Sequence, residues 1–190
     1  MVSEKVFAQN TYVEKLRDNN DNNKSCVSLI LDLFKAIDAI NHKLLLVKLK
    51  KYKFMTQLSK TIENYLSDRA MRVNIDKMLS IIVSLEVGVP QGSVLGTLLF
   101  IIFVNDIFYL NIMSSLVMFA NELTTLHSDQ NLEDLIRKVE NDMKVICEWL
   151  ENNQLIINRE KTYAMRFPPS SHISKKNNRT KTRKSNDKSR

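Results

Sequence analysis

The sequence predicts a helix-rich α/β (α+β) domain in which a small antiparallel sheet is covered by helices on one face. Gly and Pro contribute only three residues each to a chain of 190, well below the roughly 12% of average usage, so turn formers are scarce and helices are favoured. Short β-branched runs joined by polar breaks indicate hairpins. With 44% hydrophobic residues, the chain can bury one core but cannot form two catalytic domains.

The first half of the chain alternates one strand with two helices. Residues 1–25 form a polar N-terminal segment, predicted to be poorly ordered or a partial helix that ends in a loop. The aliphatic run 27–33 predicts a strand buried on both faces, with Asp32 near its downstream end. Asn41 is a suitable N-cap for a helix to about Tyr52, and a second helix is predicted at about 57–67.

The second half adds two hairpins and two further helices. Residues 71–75 and 79–87 flank a polar break and predict a hairpin. The apolar segment 94–110 predicts a buried helix, and 116–119 with 123–127 predict a second hairpin whose tip is polar. A periodic apolar face predicts a helix that begins after Asn131 and ends near residue 152. The last structured piece is predicted at 155–167.

The net charge of +7 belongs to the C-terminal tail. Residues 170–190 contain eight basic side chains and one acid, while the other 169 residues contain 20 of each sign. A segment of this composition cannot form a core, so 168–190 is predicted to be a disordered basic tail. Its lysines and arginines suit phosphate groups through counterion release, and the candidate nucleic-acid contacts are Lys175, Lys176, Arg179, Lys181, Arg183 and Lys184. A nuclear import signal and a tail without any selected role are the alternatives.

Other classes of protein are not supported by the sequence. Cys26 and Cys147 stand far apart without further cysteines, which indicates neither a disulfide scaffold nor a zinc module. No secretory signal is visible, and the longest uncharged apolar run, 94–104, is much shorter than the roughly 20 residues that cross a bilayer. We therefore expect an intracellular protein of the nucleus or cytoplasm, without a membrane anchor.

Four motifs resemble one enzyme family in both order and spacing. They are LDLFKAID at 31–38, GVPQGSVLG at 88–96, FANE at 119–122 and INREKT at 157–162. Together they are similar to the palm of a reverse transcriptase, specifically the polymerase of a non-LTR (LINE-like) retrotransposon. The similarity covers about 26–167, which is therefore expected to be a palm-like domain and to represent a truncated copy, without recognisable fingers, thumb or endonuclease.

The resemblance implies an RNA-directed DNA polymerase that transfers dNTPs to a primer 3′-hydroxyl on an RNA template. Two Mg²⁺ (or Mn²⁺) ions are implied as cofactors, and RNA template, DNA primer and dNTP as partners. The residues that match the catalytic positions of the family are Asp32, Asn121, Glu122 and Lys161, with Asp32 and Glu122 as metal ligands. The residues that match its nucleotide-binding positions are Ile37, Gln91 and Gly92.

Three of these positions depart from the pattern of the family. Asn121 and Glu122 stand where the family has two aspartates, so one anionic ligand becomes a neutral amide and another is one methylene longer. Ile37 replaces an aromatic residue that excludes a 2′-hydroxyl, which predicts weaker discrimination against ribonucleotides. Because metal ions need anionic oxygen ligands at the correct distance, we expect impaired or absent polymerase activity.

Two non-enzymatic alternatives remain open. One is a non-catalytic nucleic-acid-binding remnant, and the other is a non-functional retroelement fragment that scarcely folds. The solitary His42 and His127 lack ligand partners at metal-site spacing, so neither predicts a metal site. The lysine run 43–53 indicates a solvated helix face, with contact to a phosphate backbone as the alternative.

Overall fold

The structure is a computed structural model, and it describes residues 2–54, 56–90 and 92–169, with side chains described from residue 10 onward. The chain divides into two compact units. The first contains the segment ending at Asp32, the segment Asn111–Val145 and the segment that starts at Ile157. The second contains Leu33–Leu110 and Ile146–Ile156. The basic tail from residue 170 onward, with its six predicted nucleic-acid contacts, lies outside the described residues.

The described secondary structure mixes helices with short antiparallel strands. The helices are α1 (Val2–Asp21), α2 (His42–Lys51), α3 (Thr56–Leu66), α4 (Val94–Val104) and α5 (Leu132–Asn152), with 3₁₀ turns at Asn105–Tyr109 and Arg159–Lys161. The strands are β1 (Ser25–Asp32), β2 (Ala70–Met71), β3 (Asn74–Ile75), β4 (Met78–Leu79), β5 (Val83–Ser84), β6 (Ser115–Phe119), β7 (Glu122–Asp129) and β8 (Tyr163–Phe167).

A four-stranded antiparallel sheet in the order β6-β7-β1-β8 forms the centre of the first unit. β1 lies inside the sheet because its aliphatic side chains suit burial on both faces, as in Leu31, which is 2% exposed. β1 and β7 pair along their full length, from Ser25 opposite Asp129 to Asp32 opposite Glu122. This pairing brings Asp32 of the 31–38 motif and Glu122 of the 119–122 motif to the same end of the two inner strands.

Helices lie over both faces of this sheet. On one face, His127 of β7 lies next to Asp142 of α5. On the other face, which carries Asp32, Lys15 of α1 donates a 3.1 Å hydrogen bond to Ser115 of β6. The sequence predicts that this second face is open. α1 covers part of it because Ile30, one step along β1 from Asp32 on that face, is a large apolar side chain that gains by burial.

The second unit is built from α2, α3, α4 and the short β-ladders. α2 begins as predicted, because the side chain of Asn41 accepts a hydrogen bond from the Leu44 N–H at 3.1 Å. α2 contacts both α3 and α4. Their apolar faces form a core in which Leu45, Leu49 and Leu99 are fully buried. The predicted helix at 57–67 corresponds closely to α3.

Three elements differ in extent from the sequence predictions. The predicted helix 94–110 ends at Val104 and continues as the 3₁₀ turn that starts at Asn105. The first predicted hairpin forms only two-residue ladders around the turn at Asp76, because its strands are exposed and gain little from packing. In the N-terminal segment, α1 is a full helix of 20 residues, and it ends before Asn23, which adopts the left-handed conformation (φ 55°).

The described part of the chain contains no helix with the length and hydropathy needed to span a bilayer.

Candidate active site

Two carboxylates face each other at one end of the inner strands of the four-stranded sheet. Asp32 is the last residue of β1, and it is paired directly with Glu122, the first residue of β7. Side chains at directly opposite positions of an antiparallel pair project from the same face, with Cβ atoms about 5 Å apart. The pairing of β1 with β7 therefore creates a local concentration of negative charge.

The turn between β6 and β7 places an amide beside these carboxylates. Phe119 and Glu122 form the closing pair of the hairpin, so Ala120 and Asn121 are its two turn residues. Ala120 adopts the left-handed region (φ 51°), which is unfavourable for a residue with a Cβ. The turn carries the side chain of Asn121 toward β1, where its Nδ2 donates a 2.7 Å hydrogen bond to Oδ1 of Asp32.

This donor set suits a divalent cation poorly. Mg²⁺ prefers anionic and neutral oxygen ligands in octahedral geometry, but Oδ1 of Asp32 already accepts the amide hydrogen of Asn121. Within residues 2–54, 56–90 and 92–169, the structure has no group of three or more His, Cys, Asp or Glu side chains arranged to hold a metal ion. Asp32 and Glu122 are the residues that would contribute carboxylates to such an ion.

A cavity of about 820 Å³ lies beside the tip of the β6–β7 hairpin, and Glu122 is one of the residues that line it. Tyr12 and Val13 of α1 form one side, and Ile30 and Phe119 of the sheet contribute apolar surface to the other. Glu122 and Asn121 supply polar groups at its wall. The cavity therefore combines an apolar interior with one acid, and the sequence alone did not predict the contribution of α1.

Lys161 lies in a short turn between α5 and β8, close in sequence to a residue that is hydrogen-bonded to the end of β1. It is exposed and ends the 3₁₀ turn that starts at Arg159, just before β8. The β1–β8 pairing ends with Ile30 opposite Tyr163. The Asn158 N–H then donates a 2.8 Å hydrogen bond to the backbone carbonyl of Asp32. The turn that carries Lys161 is thus attached to the end of β1.

Ile37 and Gly92, two of the three predicted nucleotide-binding residues, belong to the second unit. Ile37 is half-buried, and its carbonyl accepts a 3.3 Å hydrogen bond from the Val89 N–H. Gly92 is exposed in the left-handed region (φ 77°), with open space around the position that a Cβ would occupy. Gln91 lies outside the described residues. A Cβ at Gly96 would lie 2.5 Å from the Pro90 carbonyl, so this loop depends on that glycine as well.

A buried ionisable pair that the sequence did not reveal joins β7 to α5. Nε2 of His127 is 3.1 Å from Oδ2 of Asp142, and both side chains are almost fully buried. The Asp142 carboxylate also accepts hydrogen bonds from the Met113 and Ser114 N–H groups at 2.8–3.1 Å. Burial lowers the pKa of His127, and the nearby Asp142 carboxylate opposes this shift. The pair joins α5 to the strand that carries Glu122.

A second buried pair lies in the second unit. Lys48 Nζ donates hydrogen bonds to the Phe103 carbonyl (2.6 Å) and to Oδ1 of Asp106 (2.7 Å). Trp149 Nε1 donates to the same Asp106 oxygen at 3.1 Å. Burial lowers the pKa of Lys48, while its interaction with Asp106 raises it. A lysine in a lysine-rich helix gives no signal in the sequence that distinguishes it from its exposed neighbours.

Sequence comparison shows what the chain is similar to. Residues 3–185 match the protein family described as "Reverse transcriptase (RNA-dependent DNA polymerase)". The chain is 28% identical over 149 residues to the "Probable RNA-directed DNA polymerase from transposon BS" of Drosophila melanogaster, which is 75% of this chain and 16% of that protein. It is 27% identical over 154 residues to the "RNA-directed DNA polymerase from mobile element jockey" of the same species, which is 77% of this chain and 17% of that protein.

Solved structures agree with the fold. Apo telomerase from Candida tropicalis, truncated from its C-terminal domain, superposes with a TM-score of 0.59 at 15% identity, covering 86% of this chain and 35% of that one. The same telomerase with a fragment of telomeric RNA gives 0.62 at 14% identity, covering 85% and 29%. The palm-type α/β fold is therefore confirmed.

The family match spans nearly the whole chain. The chain itself spans only about a sixth of the length of those two curated relatives. This chain belongs to the reverse transcriptase family, with LINE-like mobile-element polymerases among its relatives.

Proposed function

We propose that this chain is the palm-like region of an RNA-directed DNA polymerase in which phosphoryl transfer is impaired. The observation that carries the proposal is the 2.7 Å hydrogen bond from Asn121 to Asp32. It places beside the Asp32 carboxylate a side chain that cannot supply an anionic ligand. Membership of the family implies divalent-metal catalysis in general, and this chain retains two of the three carboxylates expected there.

The consequence for catalysis follows from charge and position. Removing one anionic oxygen weakens the attraction for a divalent cation, and Glu122 reaches one methylene further than aspartate. A displacement of about 1 Å at a reacting centre costs on the order of a hundredfold in rate. We therefore expect that Asp32 and Glu122 support extension of a primer only weakly.

The other residues that match the family have proposed roles in binding the substrate. Lys161 is proposed to act near the leaving pyrophosphate as a general acid. Gln91 and Gly92 are proposed to lie against the incoming dNTP and the template base. Ile37 is proposed to contact the sugar, where its aliphatic side chain leaves room for a 2′-hydroxyl.

A second candidate function is nucleic-acid binding without catalysis. The eight basic residues between Ser170 and Arg190 would bind phosphates without reading sequence. In this organisation, residues 26–167 form the palm-like domain and 168–190 supply a basic tail. The same tail composition suits nuclear import, and we propose a nuclear or cytoplasmic location.

Primer extension on an RNA template with dNTPs and Mg²⁺ or Mn²⁺ tests the first proposal. Wild type is compared with Asn121→Asp/Glu122→Asp, which restores three carboxylates, and with Asp32→Ala. We expect the double variant to be about a hundredfold faster than wild type, and the Asp32→Ala chain to be inactive.

A wild-type rate equal to that of the double variant would overturn the proposed impairment. Activity that persists in Asp32→Ala would remove Asp32 from the site. If every variant is inactive but binds an RNA–DNA hybrid with strong salt dependence, the second candidate function is supported instead.

A further inference from the structure

The helix α2 and the residues after it form an unusually basic stretch of the second unit. Residues 39–62 contain six lysines and no acid, although the chain outside the tail has equal numbers of acidic and basic residues. Five of the six lysines are exposed, and the sixth, Lys48, pairs with Asp106. We define the lysine surface as Lys43, Lys50, Lys51 and Lys53.

The lysine surface occupies one side of α2. At about 100° per residue, Lys43, Val47, Lys50 and Lys51 fall within an arc of roughly 100°. The opposite side of the helix holds the fully buried Leu45 and Leu49. Lys43, Lys50 and Lys51 therefore lie on the side of α2 that is turned away from the core, while Lys53 follows the end of the helix.

The charge of this surface is not balanced by neighbouring acids. Among the described residues, none of its four lysines forms an ion pair with a carboxylate. Lys50 and Lys51 interact favourably with the negative C-terminal end of the α2 dipole. Lys43 lies at the positive N-terminal end of the helix, where the same dipole is unfavourable for a cation. A polyanion would stabilise all four.

We propose that the lysine surface binds the phosphate backbone of nucleic acid. Lys43 and Lys50 lie about 10 Å apart along the helix axis, so the surface is long enough to contact more than one phosphate of a strand. A membrane surface fits less well, because the apolar face of α2 is already buried and only Val47 is left among the lysines to enter a bilayer. The inference rests on the proposed function only in its choice of a nucleic-acid partner.

Binding of a short RNA–DNA hybrid to the full chain, followed by fluorescence anisotropy between about 50 and 200 mM salt, tests the proposal. The test variant changes Lys43, Lys50, Lys51 and Lys53 to Gln. The control variant changes Arg72, Lys77, Lys144 and Arg159 to Gln, four exposed basic residues elsewhere. Both variants keep the tail and lose the same charge, and circular dichroism checks that each remains folded.

The test variant is expected to reduce the slope of log K against log salt by about 3, compared with less than about 1 for the control. Lysine acylation of wild type, mapped by mass spectrometry, supplies an independent readout in which the hybrid protects Lys50 and Lys51. Equal slopes for both variants, or acylation unaffected by the hybrid, would overturn the proposal. So would binding of phosphatidylserine vesicles through these lysines in the absence of hybrid binding. Because no turnover is needed, failed primer extension leaves this test intact.

Discussion

The amide of Asn121 donates a 2.7 Å hydrogen bond to the carboxylate of Asp32, which joins the tip of the β6–β7 hairpin to the end of β1. In a reverse transcriptase the corresponding position supplies a third carboxylate, which would repel Asp32 in the absence of metal. The amide exchanges that repulsion for a hydrogen bond to a charged group. The amide that we propose to weaken metal binding therefore stabilises the metal-free hairpin.

Replacing Asn121 by Asp is expected to make the stability of the protein depend on Mg²⁺. In EDTA the variant loses a hydrogen bond to a carboxylate and gains a like charge, which costs about 2 kcal/mol of unfolding free energy. Saturating Mg²⁺ should recover most of this loss, because a ligand at 100 times its Kd contributes about 2.7 kcal/mol. Thermal melts in EDTA and in Mg²⁺ measure both effects.

Asn121→Ala is the matched control, because it removes the same hydrogen bond without adding a carboxylate. Its Tm should fall in EDTA and show no recovery in Mg²⁺. If Mg²⁺ stabilises wild type as much as Asn121→Asp, then the amide does not weaken the site.

The sequence predicted this neighbourhood from the order of its motifs. The aliphatic run that ends in Asp32 predicts a central strand, and a polar break between two apolar runs predicts the hairpin with Asn121 at its tip. The direction of the Asn121 side chain was not predictable, because it depends on the left-handed backbone at Ala120. The sequence also did not predict that Tyr12 of α1 lines the cavity beside Asn121 and Glu122. A polar segment gives no strong signal for packing on a sheet.

Ile37→Phe is expected to improve the selection of deoxyribonucleotides. The variant is made in the Asn121→Asp/Glu122→Asp background, where activity is measurable. A phenyl ring beside the sugar should reduce incorporation of rNTPs relative to dNTPs by about tenfold, which is typical of a steric difference in a binding pocket. Single-nucleotide extension with each substrate gives the ratio. An unchanged ratio would show that residue 37 does not contact the sugar, and Ile37→Val serves as a control that adds no bulk.

Lys48→Met is expected to destabilise the second unit. Lys48 Nζ makes hydrogen bonds to Phe103 and Asp106, and it lies 4.5 Å from the centroid of the Phe103 ring. Removing it leaves the Asp106 carboxylate with Trp149 as its only remaining described side-chain donor, at a cost of roughly 2–4 kcal/mol in urea unfolding. Lys48→Gln tests whether a neutral donor recovers part of the loss.

The double variant Lys48→Met/Asp106→Asn separates charge from packing. The asparagine oxygen still accepts from Trp149, and no unpaired carboxylate remains. The double variant should therefore be more stable than the sum of the two single changes predicts, by about 1–2 kcal/mol. Strict additivity would show that the two charges do not interact in the folded state.

The buried pairs Lys48–Asp106 and His127–Asp142 could not be predicted from the sequence. Lys48 belongs to a lysine run that predicts a solvated helix face, and four of its five lysines are exposed. The exception depends on α4, which brings Asp106 next to α2, and such long-range contacts leave no local pattern. The sequence around His127 likewise gives no sign of Asp142, because the two residues meet only through the packing of α5 on β7.

His127 makes the folded state sensitive to acid. Burial lowers its pKa below the usual value of about 6.5, although Asp142 opposes the shift and Lys138 adds to it. The unfolded chain therefore takes up a proton near pH 6.5, while the folded chain takes it up only at lower pH. Between these two values the unfolded state binds more protons, so stability decreases as the pH falls, by at most about 1.4 kcal/mol per pH unit from this group.

Urea unfolding at pH 7.5 and 5.5 should show this loss in wild type and a smaller one in His127→Gln, whose side chain does not titrate. The same pH dependence in both proteins would mean that His127 is protonated equally in the folded and unfolded states, and that its burial beside Asp142 has no effect on its charge.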